Sequence, residues 1–180
     1  MVAYSDVYLD DVVENQGKLF DYVSYNFPNK DTKDFIECYM SSKTREAIDN
    51  GQTYVITIDY KDLLDYFCKY DNYTLKNGKP IEGFVPDWIG EFYAYYRWYY
   101  NIKSDEFIKK IPVDFLLKAY GGLHDLQLDL AVKKLVKLNK TISQVHPIAL
   151  ILDDSFFHLL HILHMLPLQV LNQIHLLFHQ

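Results

Sequence analysis

Three histidines repeat at every third position near the C-terminus, His158, His161 and His164, and Asp154 stands four residues ahead of the first. On a helix Asp154, His158 and His161 fall at i, i+4 and i+7, where two imidazoles and a carboxylate could form an open metal triad. Metal sites draw ligands from more than one element, however, and need outer partners to orient them. A Leu-rich amphipathic helix with histidines on its wetter side accounts for the same spacing, so neither a metal nor a cofactor is expected. Nucleophilic chemistry has less to work with. Cys38 and Cys68 form no CxxC, and the chain contains no GxSxG, HExxH, P-loop or GxGxxG pattern. His124 beside Asp125 is the one pair a small enzyme could use, and no catalytic residue is assigned.

Recognition chemistry is better represented. The run from Phe92 to Tyr100 reads FYAYYRWYY. Trp88, Ile89, Phe92, Tyr95, Tyr96 and Tyr99 keep the i, i+1, i+4, i+7, i+8, i+11 spacing of a helical core stripe. At 100° per residue Tyr93, Arg97 and Tyr100 fall on another face, with Arg97 one turn from each ring. Tyr, Trp and Arg dominate protein-binding hot spots, so Tyr93, Arg97, Tyr100 and Trp98 are the candidate partner-binding residues. The competing reading is a second buried interface inside a helical domain.

The elements that must position these residues read as helices. Leu9, Val12, Val13, Leu19, Phe20 and Val23 keep helical spacing, with Ser5 as cap and Pro28 as stop. Asp31 or Thr32 opens a helix burying Phe35, Ile36, Tyr39 and Met40, interrupted at Ser41-Ser42. Thr44 to Asn50 adds further turns before Asn50-Gly51. Thr53 to Ile58 is β-branched and is either a strand or an irregular connector; one strand cannot make a sheet. Asp59 caps a helix carrying Leu63, Leu64, Phe67 and Cys68. The stretch from Asp71 to Glu82, with Asn77-Gly78 and Pro80, is an exposed loop. Pro86 suits the first turn of the aromatic helix. Ser104 caps a short helix, Pro112 starts another that Gly121-Gly122 should end, and His124 or Asp125 opens the segment through Leu135. The expected fold is mainly α, a compact multi-helix domain with at most one short strand-like segment.

Composition bounds the rest. The chain has 180 residues, 49% hydrophobic and 23% charged, enough for one globular domain without metal or disulfide staples. Its net charge of −6 lacks the cation surplus of a non-specific nucleic-acid binder. Acids at Asp6, Asp10, Asp11 and Glu14 precede the first base, Lys18, opposite to a signal peptide. With the sparse cysteines this points to a cytoplasmic protein. All 18 Lys+Arg lie within the first 140 residues, and only Asp153 and Asp154 among the acids lie beyond them. The organisation is therefore a helical domain over 1–140 and a distinct Leu/His-rich segment over 141–180, appended to the domain or docked on it. Ser155 to Gln180 is long enough to span a bilayer, but Pro167, Gln169, Asn172, Gln173 and five histidines argue against it.

One resemblance adds to this reading. The succession DFIECYMSSKTREAIDNGQ, DWIGEFYAYYRWYYNIKSDEFIKKIP and LKAYGGLHDLQLDLAVKK resembles a group of small helical bacterial proteins. Their marks are an aromatic "YW-x-G-x-x-Y-x-Y" helix, an "S-S-x-E-[IL]" turn and a "Y-x-x-[LM]-H" segment. The resemblance spans about residues 10–136. Trp88, Gly90, Tyr93, Tyr95, Tyr96 and Trp98 occupy the first motif; Ser104, Glu106 and Ile108 the second, with Lys103 in place of its first Ser; Tyr120, Leu123 and His124 the third. Such proteins accompany ADP-ribosyltransferase-like proteins in toxin–antitoxin-like cassettes. The resemblance implies a non-catalytic protein-binding module, an antitoxin-like or accessory partner of a toxin encoded beside it. A helix-turn-helix regulator within Ser104 to Val136, with a basic patch from Lys103, Lys109, Lys110 and Lys118, is the alternative, and a small enzyme the third reading.

Overall fold

The structure, a computed structural model, describes residues 4–135. A 3₁₀ turn at Asp6–Tyr8 leads into α1 (Leu9–Asn26), followed by α2 (Thr32–Met40), α3 (Lys43–Asp49), α4 (Thr53–Ile56) and α5 (Tyr60–Tyr70). After a loop come α6 (Val85–Tyr100), α7 (Ser104–Lys110) and α8 (Val113–Leu123). A further helix begins at 128 and is described through 135; it does not open at His124 or Asp125 as expected, because His124 is the C-cap of α8 and a turn follows. Among the described residues the architecture is all-helical, and the sole β feature is an isolated antiparallel bridge between Lys30 and Asn77. No described helix is long and apolar enough to cross a membrane. Residues 136–180, with the 140/141 boundary, the bilayer-length segment and Asp154, His158, His161 and His164, lie outside the described residues.

Local chemistry sets the boundaries. Ser5 accepts from the Val7 amide, Asp31 from Asp34, Ser42 from Arg45 and Asp59 from Lys61, so four helical starts have side-chain caps. Pro86 lies in the first turn of α6, where its missing N–H costs no helical bond. Gly51 ends the α3 segment at φ +75°, a conformation that side chains with a Cβ resist. Thr53 to Ile58 is neither strand nor irregular connector: α4 is a single helical turn whose Val55 and Ile56 are buried. With no neighbouring strand to accept its ladder bonds, the segment closes them locally. Gly121-Gly122 does not end α8, which runs through both and stops at Leu123.

α1 and α6 form the central pair. They approach closely because Gly17 and Gly90 face each other: a Cβ on Gly90 would lie 2.6 Å from the Gln16 carbonyl oxygen and 2.7 Å from the Gly17 Cα. Around this pair the aromatic residues form the core. Phe20, Phe35, Tyr39 and Phe67 pack edge to face at 5.4–5.9 Å, and Phe67 stacks on Tyr73 at 4.9 Å. On the far side of α6 Phe107 stacks on Tyr96 at 3.8 Å and meets the Tyr93 edge at 5.3 Å. Much of the aromatic excess is therefore packing volume, favoured because each ring buries a large area in a defined geometry.

Candidate functional site

The four candidate residues all lie on α6, and the structure divides them. Tyr93 is fully buried, and its hydroxyl donates to the Ile111 carbonyl at 2.7 Å. Arg97 is also buried, with its Nε 2.9 Å from Asp49 Oδ1, one Nη donating to the Asp49 carbonyl and its guanidinium 6.0 Å from the Tyr4 ring. An open face of Tyr93, Arg97 and Tyr100 therefore does not exist; its first two members form a second interior interface, against α7 and the end of α3. Trp98 is half-buried and Tyr100 is 37% exposed. The expected core stripe shifts in turn. Trp88, Ile89 and Phe92 are buried, but Tyr95 and Tyr96 are only half-buried and Tyr99 is 42% exposed. Both expected groupings on α6 therefore split: Tyr93 and Arg97 join Trp88, Ile89 and Phe92 in the interior, while Tyr99 and Tyr100 are exposed together.

Beneath this helix lies a polar network not anticipated from the sequence. Arg45, Arg97 and Asp49 are the only charged side chains fully buried among the described residues. Asp49 binds both arginines, with Arg45 Nη2 at 3.2 Å and Arg97 Nε at 2.9 Å from Oδ1, although neither N–H points squarely at that oxygen. The same carboxylate accepts from the Ser104 amide at 2.8 Å and hydroxyl at 2.9 Å, so α3 supplies the anchor for the start of α7. Arg45 Nε donates to Ser104 Oγ at 3.0 Å and Nη1 to Gln16 Oε1 at 2.6 Å; Gln16 in turn donates to the Gly90 carbonyl at 2.8 Å. The network ties α1, α3, α6 and α7 together. Desolvation opposes the Arg45 charge, but Asp49 and the Tyr4 and Tyr39 oxygens outweigh it and hold the guanidinium protonated. Burial pushes the Tyr39 phenol up to about 12. One signal for this cluster was legible: Arg45, Ile48 and Asp49 share a helical face at i, i+3, i+4.

The outer aromatic surface is what remains accessible. Tyr95 stacks on Tyr99 at 6.1 Å and meets Trp98 at 5.9 Å; Tyr99 and Tyr100 cross at 4.9 Å, and Tyr100 packs on Tyr96 at 4.6 Å. Lys133, on the helix begun at 128, places its Nζ 5.4 Å above the Tyr99 ring. The rings thus hold one another in place, which limits their side-chain freedom. Burial pushes the Tyr96 phenol up to about 12, so it stays a neutral hydrogen-bonding group at physiological pH.

The residues of the alternative readings are placed as follows. His124 Nε2 is 3.2 Å from Asp125 Oδ1, its Nδ1 2.8 Å from the Tyr120 carbonyl oxygen, and its ring stacks on Tyr120 at 4.5 Å. Tyr120 also meets the Trp88 edge at 5.4 Å, which brings the first and third sequence motifs together. Ser104, from the second, does not cap α7 as expected: it is the first residue of that helix, and its amide and hydroxyl donate to Asp49 in the arginine network. Lys109 pairs with Asp105 at 3.5 Å on its own helix, which reduces the basic patch proposed for α7. Among the described residues no group of three or more His, Cys, Asp or Glu is placed to hold a metal ion.

The fold and site together define an all-helical, aromatic-rich protein in which a buried two-arginine, one-carboxylate network supports a surface of tyrosines. No family model, no curated protein and no solved structure matches the chain.

Proposed function

We propose that this chain is a non-catalytic protein-binding module, an antitoxin-like or accessory cytoplasmic partner of a toxin-like protein encoded beside it. The supporting observation is the cluster of Tyr95, Trp98, Tyr99 and Tyr100 at the C-terminal end of α6, in mutual ring contact, with Tyr99 and Tyr100 exposed and Tyr95 and Trp98 half-buried beneath them. Rigid aromatic side chains exclude water from a large area at small entropic cost, the property that concentrates binding energy in Tyr and Trp. The class of partner rests on the sequence resemblance over about residues 10–136. The binding surface differs from that expected from sequence: Tyr99 and Tyr95 replace Tyr93 and Arg97, whose burial gives them a structural role.

The test is co-expression with the product of the neighbouring gene, followed by titration calorimetry. Tyr99→Ala and Tyr100→Ala are expected to weaken association roughly 30-fold each, the scale of a hot-spot truncation of about 2 kcal/mol. Their melts should stay close to wild type, since surface substitutions usually change stability by less than about 0.5 kcal/mol. Unchanged affinity in both variants would remove the surface from consideration.

A further inference from the structure

Several tyrosines of this chain already hold one of its own cations. Lys133 Nζ lies 5.4 Å from the Tyr99 ring centre, the Arg97 guanidinium 6.0 Å from that of Tyr4, and Lys61 Nζ stands against both Tyr22 and Tyr60, at 5.7 and 5.6 Å. Another tyrosine group, on α4 and α5, has no such cation among the described residues. There Tyr54 meets Tyr66 at 6.2 Å with the ring planes 67° apart, and Tyr66 stacks on Tyr70 at 5.3 Å and 20°. Tyr66 and Tyr70, one turn apart on α5, thus form the floor of a corner whose wall is Tyr54. The corner is open: Tyr54 is 71% and Tyr70 55% exposed.

The charge around the corner suits a cation. Asp71 follows α5 directly and accepts from the Lys43 and Thr44 amides and the Thr44 hydroxyl, neutral donors that leave its negative charge uncancelled. Burial, and then Tyr70, Tyr54 and Asp71, raise the Tyr66 phenol, and no basic group counters them. Lys69, the one base in the last turn of α5, lies over none of the three rings. The faces of the rings are negative in their quadrupole and attract a cation placed above them. A guanidinium is planar and weakly hydrated, so it stacks on such a floor at a smaller desolvation cost than a compact ammonium. The chain's net charge of −6 favours encounter with basic sequences. We propose that the corner of Tyr54, Tyr66 and Tyr70 is a docking site for an arginine side chain in a basic segment of a partner protein. It lies on other helices than the α6 surface, and its test does not depend on a toxin-like partner.

Nuclear magnetic resonance of the full chain, isotope-labelled at tyrosine, tests this by titration with a short capped peptide of alternating glycine and arginine. Matched lysine and citrulline peptides are the controls; citrulline keeps the shape of arginine without its charge. The expected result is a saturable shift of the Tyr54, Tyr66 and Tyr70 ring signals with the arginine peptide, weaker binding of the lysine peptide and none of the citrulline peptide. Tyr54→Leu and Tyr70→Leu each keep an apolar side chain and remove one ring, and should weaken arginine binding about two- to fivefold. Both positions are exposed, so both variants should melt close to wild type. If one does not fold, the other decides, and the three peptide titrations of the wild-type chain need neither. No saturable shift at the corner, lysine or citrulline binding as tightly as arginine, or unchanged affinity in the folded variants overturns the proposal. Shifts confined to Tyr95, Tyr99 and Tyr100 overturn it as well, by placing the arginine on α6.

Discussion

Replacing Asp49 with Asn removes one charge and changes almost no volume, yet it strikes the group on which the buried network depends. The carboxylate contacts Arg45, Arg97 and both the amide and hydroxyl of Ser104 at 2.8–3.2 Å. An asparagine oxygen can still accept from the Ser104 amide, but its NH₂ would be a donor facing donors. Two buried guanidiniums then lack any carboxylate, and breaking a buried pair in this way costs about 3–5 kcal/mol. Native domains are stable by only about 5–15 kcal/mol, so Asp49→Asn should bring the protein near its unfolding threshold. Urea denaturation followed by far-UV circular dichroism measures the loss. Arg97→Met in the same background should recover part of it by removing one unpaired charge, a coupling of about 0.5–3 kcal/mol in the double-mutant cycle. A single-mutant loss below about 1 kcal/mol, or strict additivity of the pair, would refute the assignment of Asp49 as shared counter-ion.

The other expectations concern packing and pH. Gly90→Ala should destabilise by about 1–3 kcal/mol in denaturant titrations, because its Cβ would sit 2.6 Å from the Gln16 carbonyl oxygen and force α1 and α6 apart. Phe92→Ala should cost about 3–5 kcal/mol through the cavity it leaves; Tyr93→Phe, which strands the Ile111 carbonyl, should cost about 1–3 kcal/mol. On α6, burial first and then Asp21 raise the carboxyl of Asp87, with Glu14 adding to the rise and Lys18 opposing it; burial and then Asp87 and Glu14 raise that of Glu91. Because their folded values lie above the unfolded ones, ionising these groups costs stability at neutral pH, and that cost is relieved as pH falls through the folded values. Asp87→Asn should therefore raise the Tm at pH 7, with the gain vanishing towards the ordinary Asp value of about 3.9; a gain that grows on acidification would reverse the sign argument.

What could be read along the chain was what neighbouring residues determine. The caps at Ser5, Asp31 and Asp59, the break at Ser41-Ser42 and the stop at Asn50-Gly51 all concern groups within a few residues of one another, and the helices follow them. Burial of Phe35, Ile36, Tyr39 and Met40 followed from one unambiguous apolar face. Thr53–Ile56 shows where local preference yields: β-branched residues with no strand beside them closed a helical turn instead.

By itself the sequence determined the helical class, the caps at Asp31 and Asp59 and the presence of more than one aromatic face on α6, since periodicity and capping are properties of a single segment. It did not determine which of those faces would meet another helix. Tyr93 and Arg97 are interior because Phe107 and Ile111 of the α7 region and Asp49 at the end of α3 arrive against them, from positions up to 48 residues away. Tyr99 is open because, among the described residues, fewer come to its side. Arg45 is interior because Gln16, Asp49 and Ser104, from three different helices, close around it. Burial of a charge is a property of the assembled core, so only the tertiary structure could turn a polar residue on α3 into the centre of the fold.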